Sequence, residues 1–214
     1  MKAVVFDLDG TLVNTIPDIT STVNSVLHSH GFAEKSMSEV EAGVGFGVEH
    51  LLQTLGVPGK MNSRMVNEIN RVYSEMKHSK SYLYSGIESL IKRVSKAGIM
   101  MFILSNKLQR SLEKSVSDHL CFAEFLSITG SQPGFPAKPS PVLLLGMLDR
   151  FNVPLDSALM VGDGEADIAV ARAAGIPCVS VLWGFRSREA LEVAGADLFA
   201  ETPEDAAELI LGEE

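Results

Sequence analysis

The sequence predicts an α/β protein: a parallel sheet with helices on both faces, and an all-helical segment inserted after the first strand. Three observations predict it. From Gly86 onward, short apolar runs alternate with segments of helical period, as expected for strands buried on both faces between crossover helices. An isolated apolar run of the same kind, Ala3 to Phe6, lies near the N-terminus. Between about Pro17 and Lys80 the alternation stops, and apolar residues recur at helical spacing with no convincing strand among them.

Taken in order, residues 3–6 form the first strand. Ile16, Ile19, Val23, Val26 and Leu27 then mark one helix of the insert, and Met61, Met65, Ile69, Val72 and Met76 mark another. Methionine at such spacing reads as adaptable core filler. The insert is too long for a strand-helix-strand step, so residues 16–80 are expected to be a separate helical domain. Residues 1–15 and 81–214 would form the sheet domain, with connections near Asn14 to Ile16 and Ser79 to Ser85. Next, residues 86–98 are a helix closed by Gly98, 99–104 a buried strand, 108–120 a helix and 125–128 a short strand. Residues 141–151 are helical, 158–162 strand-like, 166–175 a helix stopped by Gly175, and 178–183 a strand. Short helices at 187–195 and 203–212 complete the chain.

Composition narrows the function. With 27 acidic and 18 basic residues the formal net charge is −9, which speaks against broad contact with nucleic acid or an anionic membrane. Nine acidic residues and one arginine, Arg188, lie from Ser187 onward, the signature of a solvated acidic surface. Cys121 and Cys178 are far apart and flanked by apolar residues, so they are expected as reduced core cysteines of a cytoplasmic protein. No secretory signal is expected before Asp7, and no stretch is apolar enough to cross a bilayer. The sequence leaves monomer and homodimer open.

The chemistry concentrates at strand ends, where open parallel sheets bind ligands. The stretch VVFDLDGTLV, residues 4–13, runs an apolar strand into Asp7 and Asp9; Ser105 and Asn106 follow the strand at 99–104; Lys138 precedes the helix after 125–128; Asp163 follows 158–162, with Asp167 four residues on. Taken singly, each has a plain structural reading: Asp7 and Asp9 as turn residues beside Gly10, Ser105-Asn106 as a helix cap, Asp163 and Asp167 as a capping pair, Lys138 as a loop lysine. Their coincidence at successive strand ends points instead to phosphoryl transfer. Hard carboxylate ligands suit Mg2+, an aspartate can attack phosphorus, a second can protonate the leaving oxygen, and an ammonium and a hydroxyl can hold the transferring charge.

The four motifs, FDLDGTLV at 6–13, LSNK at 104–107, KPSP at 138–141 and VGDGEADIAVARAAG at 161–175, resemble in kind and order those of the haloacid dehalogenase-like hydrolases. Within that superfamily the chain is most similar to the phosphoglycolate phosphatases with a helical cap. The resemblance implies a Rossmann-like core with the insert as cap, and Mg2+ as cofactor. It implies Asp7 as nucleophile and metal ligand, Asp9 as general acid/base touching the metal through its backbone carbonyl, and Asp163 as third protein ligand. Asp167 would tie the site together or reach Lys138. Ser105, the Asn106 amide and Lys138 would bind phosphate, with the backbone around Leu8, Asp9 and Gly10 as a cradle. Gly43, Gly45 and Gly47 fall where that resemblance places a specificity loop, and Arg186 is a candidate second anion contact, with His50 as a competitor. Asp9 favours a phosphatase or mutase over a dehalogenase. Asn14 and Gly164 depart from the usual pattern, as does a single lysine in GSQPGFPAKPSP, without removing a required group.

The expected activity is therefore hydrolysis of a small phosphorylated metabolite, phosphoglycolate first. The alternatives are a hexose-phosphate mutase, another phosphatase for pyrophosphate or a sugar phosphate, and a non-catalytic phosphate-binding regulator. A phosphonoacetaldehyde hydrolase would need a cap lysine, for which Lys35, Lys60, Lys77 and Lys80 are available.

Overall fold

The structure, a computed structural model, describes residues 1–212. Six strands form one parallel sheet: β1 (Ala3–Phe6), β4 (Met100–Leu108), β5 (Ser127–Ser131), β6 (Ala158–Gly162), β7 (Cys178–Val181) and β8 (Leu198–Ala200). Their order is β5-β4-β1-β6-β7-β8. The chain moves outward from β1 through β4 to β5, then returns to the other side of β1 and continues outward. The carboxyl ends of β4, β1 and β6 therefore meet where the winding reverses, the usual ligand position in such sheets. In register, Phe6 lies between Ile103 and Val161, so Asp7 emerges at the centre of that edge.

Alternation along β1 divides the core. Val4 and Phe6 pack with α5 (Ile87–Lys96), α6 (Gln109–His119) and α10 (Pro203–Leu211) on one face. Ala3 and Val5 pack with α7 (Val142–Arg150) and α8 (Glu165–Ala174) on the other. Every β1 side chain is fully buried, as a central strand covered on both faces requires. Helix α9 (Arg188–Ala194) lies between β7 and β8 in the chain.

Between β1 and α5 the chain forms α1 (Ile16–Ser29), α2 (Met37–Gly43), α3 (Val48–Thr54) and α4 (Gly59–Glu75). Ile16, Ile19, Val23, Val26 and Leu27 pack against Met65, Ile69 and Tyr73 in a cluster of their own. The two connections to this helical segment pair with each other as a short antiparallel ladder, β2 (Val13–Asn14) with β3 (Tyr82–Leu83). Beside it, Asp18 at the start of α1 accepts from the backbone N–H and hydroxyl of Ser81, at 2.7 and 2.6 Å. No helix among the described residues is long and apolar enough to cross a membrane.

The structure corrects several sequence boundaries. The strand expected at 99–104 continues through Ser105, Asn106 and Lys107 to Leu108, with a shift of register against β5 between Leu104 and Leu108. Ser105 and Asn106 therefore do not cap α6, whose N-cap is Leu108. The strand at 125–128 lies instead at 127–131, because pairing with β4 outweighs local apolarity. β8, β2 and β3 were not expected; two or three residues are too few to reveal a period. Both cysteines are free; Cys121 is exposed and so is not the core cysteine expected, whereas Cys178 is half-buried and packs against the core. Cys121 lies just beyond α6, in the loop that leads to β5.

Candidate active site

Five polar side chains converge where β1, β4 and β6 end. Asp7 follows β1, its N–H donating to Val161 O at 2.9 Å. Asp163 follows β6 and accepts from the Thr11 hydroxyl at 3.0 Å and the Phe185 N–H at 2.9 Å. Asp167, in the first turn of α8, accepts from the Gly164 N–H at 3.1 Å. Lys138 sends its ammonium 2.6 Å to Asp167 Oδ1, 3.0 Å to Asp7 Oδ1 and 3.1 Å to Leu104 O. Ser105, also buried, lines the same cavity as these four.

The packing admits no extra bulk. Gly10 has φ +85°, and a Cβ there would run into the Asp163 carboxylate; one at Gly162 would run into Asp167. A Cβ at Gly184 would likewise run into Asp163, so glycine is required three times for backbone to approach these aspartates.

Asp7, Asp163 and Asp167 are all buried, and each offers an oxygen within 4.8 Å of the others. One ammonium faces three carboxylates. Burial, only partly offset by Lys138, pushes Asp7 up to about 7, with Asp167 and Asp9 adding to the shift. Burial likewise pushes Asp163 up to about 8, reinforced by Asp7 and Asp167. Asp7 Oδ1 has no hydrogen-bond partner: the Lys138 ammonium is near enough for attraction but not aligned for a hydrogen bond. An under-neutralised, all-oxygen, partly orphaned set is chemically suited to a hard divalent cation. Asp7 has the one unpartnered buried oxygen of the three; both Asp163 oxygens accept from the Thr11 hydroxyl and the Phe185 N–H, and both Asp167 oxygens from Lys138 and the Gly164 N–H, so Asp163 is the carboxylate that makes no ion pair with the ammonium.

The remaining sequence candidates fall as follows. Asp9 does not join the cluster through its side chain; that carboxylate accepts from the Thr15 hydroxyl at 2.7 Å and from the Lys107 ammonium at 2.9 and 3.1 Å. The Asn106 side chain, rather than its amide alone, is structural: it accepts from Lys138 N at 2.8 Å and donates to Lys138 O and Gly45 O. One side chain thereby ties the lysine loop to the helical segment. Leu8 is fully buried and its carbonyl takes the N–H groups of Thr11, Leu12 and Val13, while the Gly10 N–H goes to Val13 O.

A cavity of about 480 Å³ opens from this cluster toward α3 and α4. Gly45 and Gly47 line it; Gly43 does not, being buried where a Cβ would meet Leu51. Phe46, Leu51, Val66 and Ile69 supply apolar wall, and Asn67 and Asn70 supply amides. Arg186 reaches the cavity, but its Nε faces the Glu165 carboxylate and its terminal nitrogens donate to Glu41 O and Val44 O. It thus caps the last turn of α2 and bridges the helical segment to the loop after β7. His50 is exposed beside Phe46. Lys35, Lys60, Lys77 and Lys80 are not among the cavity-lining residues.

Sequence reasoning missed Lys107, Thr11, Thr15 and Glu165. Lys107 lies inside the quoted LSNK, so the signal was present; its direction was hidden by the unforeseen extension of β4. Burial pulls its pKa down, but Asp9 and then Tyr73 more than compensate, so the ammonium is held above the ordinary lysine range.

Comparison with known proteins agrees with this geometry. The family model of haloacid dehalogenase-like hydrolases matches residues 4–181. A phosphoglycolate phosphatase of Xanthomonas campestris pv. campestris is 31% identical over 188 residues, 86% of this chain and 85% of the relative. One from Pseudomonas syringae pv. tomato is 30% identical over 192 residues, 86% of this chain and 70% of the relative. A solved structure from Lactobacillus delbrueckii subsp. bulgaricus, provisionally described as a phosphoglycolate phosphatase, superposes with a TM-score of 0.91 at 26% identity over 99% of both chains.

Proposed function

Because the chain belongs to the haloacid dehalogenase-like hydrolases and is a phosphatase, we propose that it hydrolyses small phosphomonoesters through a covalent phosphoenzyme on Asp7, with Mg2+ as cofactor. The observation that carries this reading is the buried set of Asp7, Asp163 and Asp167 around one ammonium. Residues 16–80 act as a cap over a core made of residues 1–15 and 81–214. The protein is expected to work in the cytoplasm.

In the first half-reaction an Asp7 oxygen forms a bond to phosphorus, the bond to the ester oxygen breaks, and Asp9 gives that oxygen a proton. In the second, a water oxygen bonds to phosphorus as the Asp7 bond breaks, and Asp9 takes the water's proton. Lys138 orients Asp7 and offsets charge on the transferring group, with the Ser105 hydroxyl beside it. Asp7 and Asp163, with the Asp9 carbonyl, would hold Mg2+, which when bound supplies the positive charge that lets one anion approach another. Packing of α3 and α4 over the cavity excludes bulk water from attack.

Relatives named phosphoglycolate phosphatase and the stretches NTIPDI, GVGFGVEHLL and WGFRSREAL support phosphoglycolate as the leading substrate. The deciding experiment compares kcat/KM for phosphoglycolate, hexose phosphates, pyrophosphate, a nucleotide and an aryl phosphate. Preference for phosphoglycolate by about 10-fold or more, about 1.4 kcal/mol, is the expected result. Isomerisation of a hexose 1-phosphate faster than its hydrolysis would replace the reading with a mutase, and no phosphate release from any compound would leave only a binding role.

The cation also predicts a pH dependence. Asp7 and Asp163 sit above the ordinary aspartate value of 3.8, at about 7 and about 8. In metal-free protein their contribution to stability is therefore full below that value and is lost as pH rises toward 8. A cation favours the ionised forms, so millimolar Mg2+ should raise Tm more at pH 8 than at pH 5. An equal rise at both pH values in thermal melts would count against Asp7 and Asp163 as ligands.

A further inference from the structure

Asp7 and Asp9 each face a different ammonium, Asp7 sharing its lysine with Asp167. Lys138 serves Asp7, and Lys107 serves Asp9, lying 2.9 and 3.1 Å from its two oxygens. The Lys107–Asp9 pair is largely enclosed, with side chains 8% and 12% exposed, so its geometry is not averaged away by solvent as in a surface ion pair. The other side of the ammonium rests against the Tyr73 ring, 4.3 Å from the centroid. Tyr73 belongs to α4, in the helical segment, and is itself buried.

The path of the chain explains why Lys107 points there. The register of β4 against β5 shifts between Leu104 and Leu108, so residues 105–107 leave the regular pleat. Gln109 fixes this irregular stretch to β5, donating to Ile128 O at 2.9 Å and accepting from the Gly130 N–H at 2.6 Å. Gly130 lies so close to Lys107 O that a Cβ would be only 2.6 Å from it.

From these contacts we infer that Lys107 is a positioning residue for Asp9, orienting its carboxylate toward the leaving-group oxygen, and that Tyr73 seats the lysine when the helical segment is packed against the sheet domain. The inference rests on the phosphatase reading above. Lys107 keeps its proton throughout; the proton that moves belongs to Asp9 and goes to the ester oxygen as the phosphorus–oxygen bond breaks. A closed cap thus completes the acid as well as covering the cavity, because the aromatic face beneath the ammonium comes from the cap.

The test compares wild type with Lys107→Met, which removes the charge while keeping most of the bulk, and Lys107→Arg, which keeps the charge. Values of kcat/KM are measured for p-nitrophenyl phosphate, whose leaving group needs little protonation, and for glycerol phosphate, whose alkoxide needs it fully. The methionine variant should lose at least about 10-fold more on glycerol phosphate than on the aryl ester, within the usual range for acid catalysis. The arginine variant should recover a large part of that selective loss. Equal losses on both esters, or an arginine variant no better than methionine, would overturn the inference and leave the phosphatase reading intact. Wild type that releases phosphate from neither ester would remove that reading and the inference with it. Should the methionine variant not fold, Tyr73→Leu, which removes only the aromatic seat, is expected to show the same selective loss, and an equal loss there would overturn the inference too.

Discussion

Asp7→Asn is expected to lower turnover by at least about 10⁴-fold, the scale seen when a covalent nucleophile is removed, while the protein stays folded. The amide keeps the volume of the carboxylate at the end of β1 but cannot form the phosphoenzyme. Stability should not fall and should rise at pH 8 without metal. Asp7 is buried and held up to about 7 by desolvation and by its neighbours Asp167 and Asp9, against the pull of Lys138, so its ionised form opposes folding at that pH. Phosphate release with circular dichroism and thermal melts separates the two effects. A folded variant with undiminished turnover would exclude Asp7 as nucleophile.

Lys138→Met should be both inactive and unstable. Its ammonium is the charge that Asp7 and Asp167 share, at 3.0 and 2.6 Å, with the lysine side chain only 2% exposed. Removing one partner of a buried ion pair typically costs about 3–5 kcal/mol, because the remaining charge is left uncompensated. Urea denaturation at pH 8 should show a loss of that order, smaller at pH 5 where Asp7 and Asp163 take up protons. A loss under about 1 kcal/mol at pH 8 would mean that the lysine does not hold the carboxylates.

The site was legible to different depths at different residues. Asp7 and Asp163 could be found because a charged residue at the end of a buried apolar run is costly without a partner, and each such run is local in sequence; Lys138 follows no such run and stood out only through the motif KPSP at 138–141. Lys107 could not be separated from an ordinary helix-start lysine until β4 was seen to run on through it. Arg186 looked like a free anion contact; the structure instead engages it with Glu165, Glu41 O and Val44 O. Gly43, Gly45 and Gly47 read as one loop, yet only the last two line the cavity, since Gly43 ends α2 against Leu51.

By itself the sequence determined the alternation of strands and helices, the helical character of residues 16–80 and the types of group available for chemistry. These follow from periodicity and from the cost of burying charge, both local properties of the chain. Only the tertiary structure decided the strand order, which carries β6 back beside β1 and sets Asp163 against Asp7. It likewise decided which lysine meets which aspartate and which wall of the cavity α4 supplies. Such pairings join residues 98, 131 or 156 positions apart, and no local propensity encodes them; they arise when the apolar faces of the sheet and the helical segment are buried together.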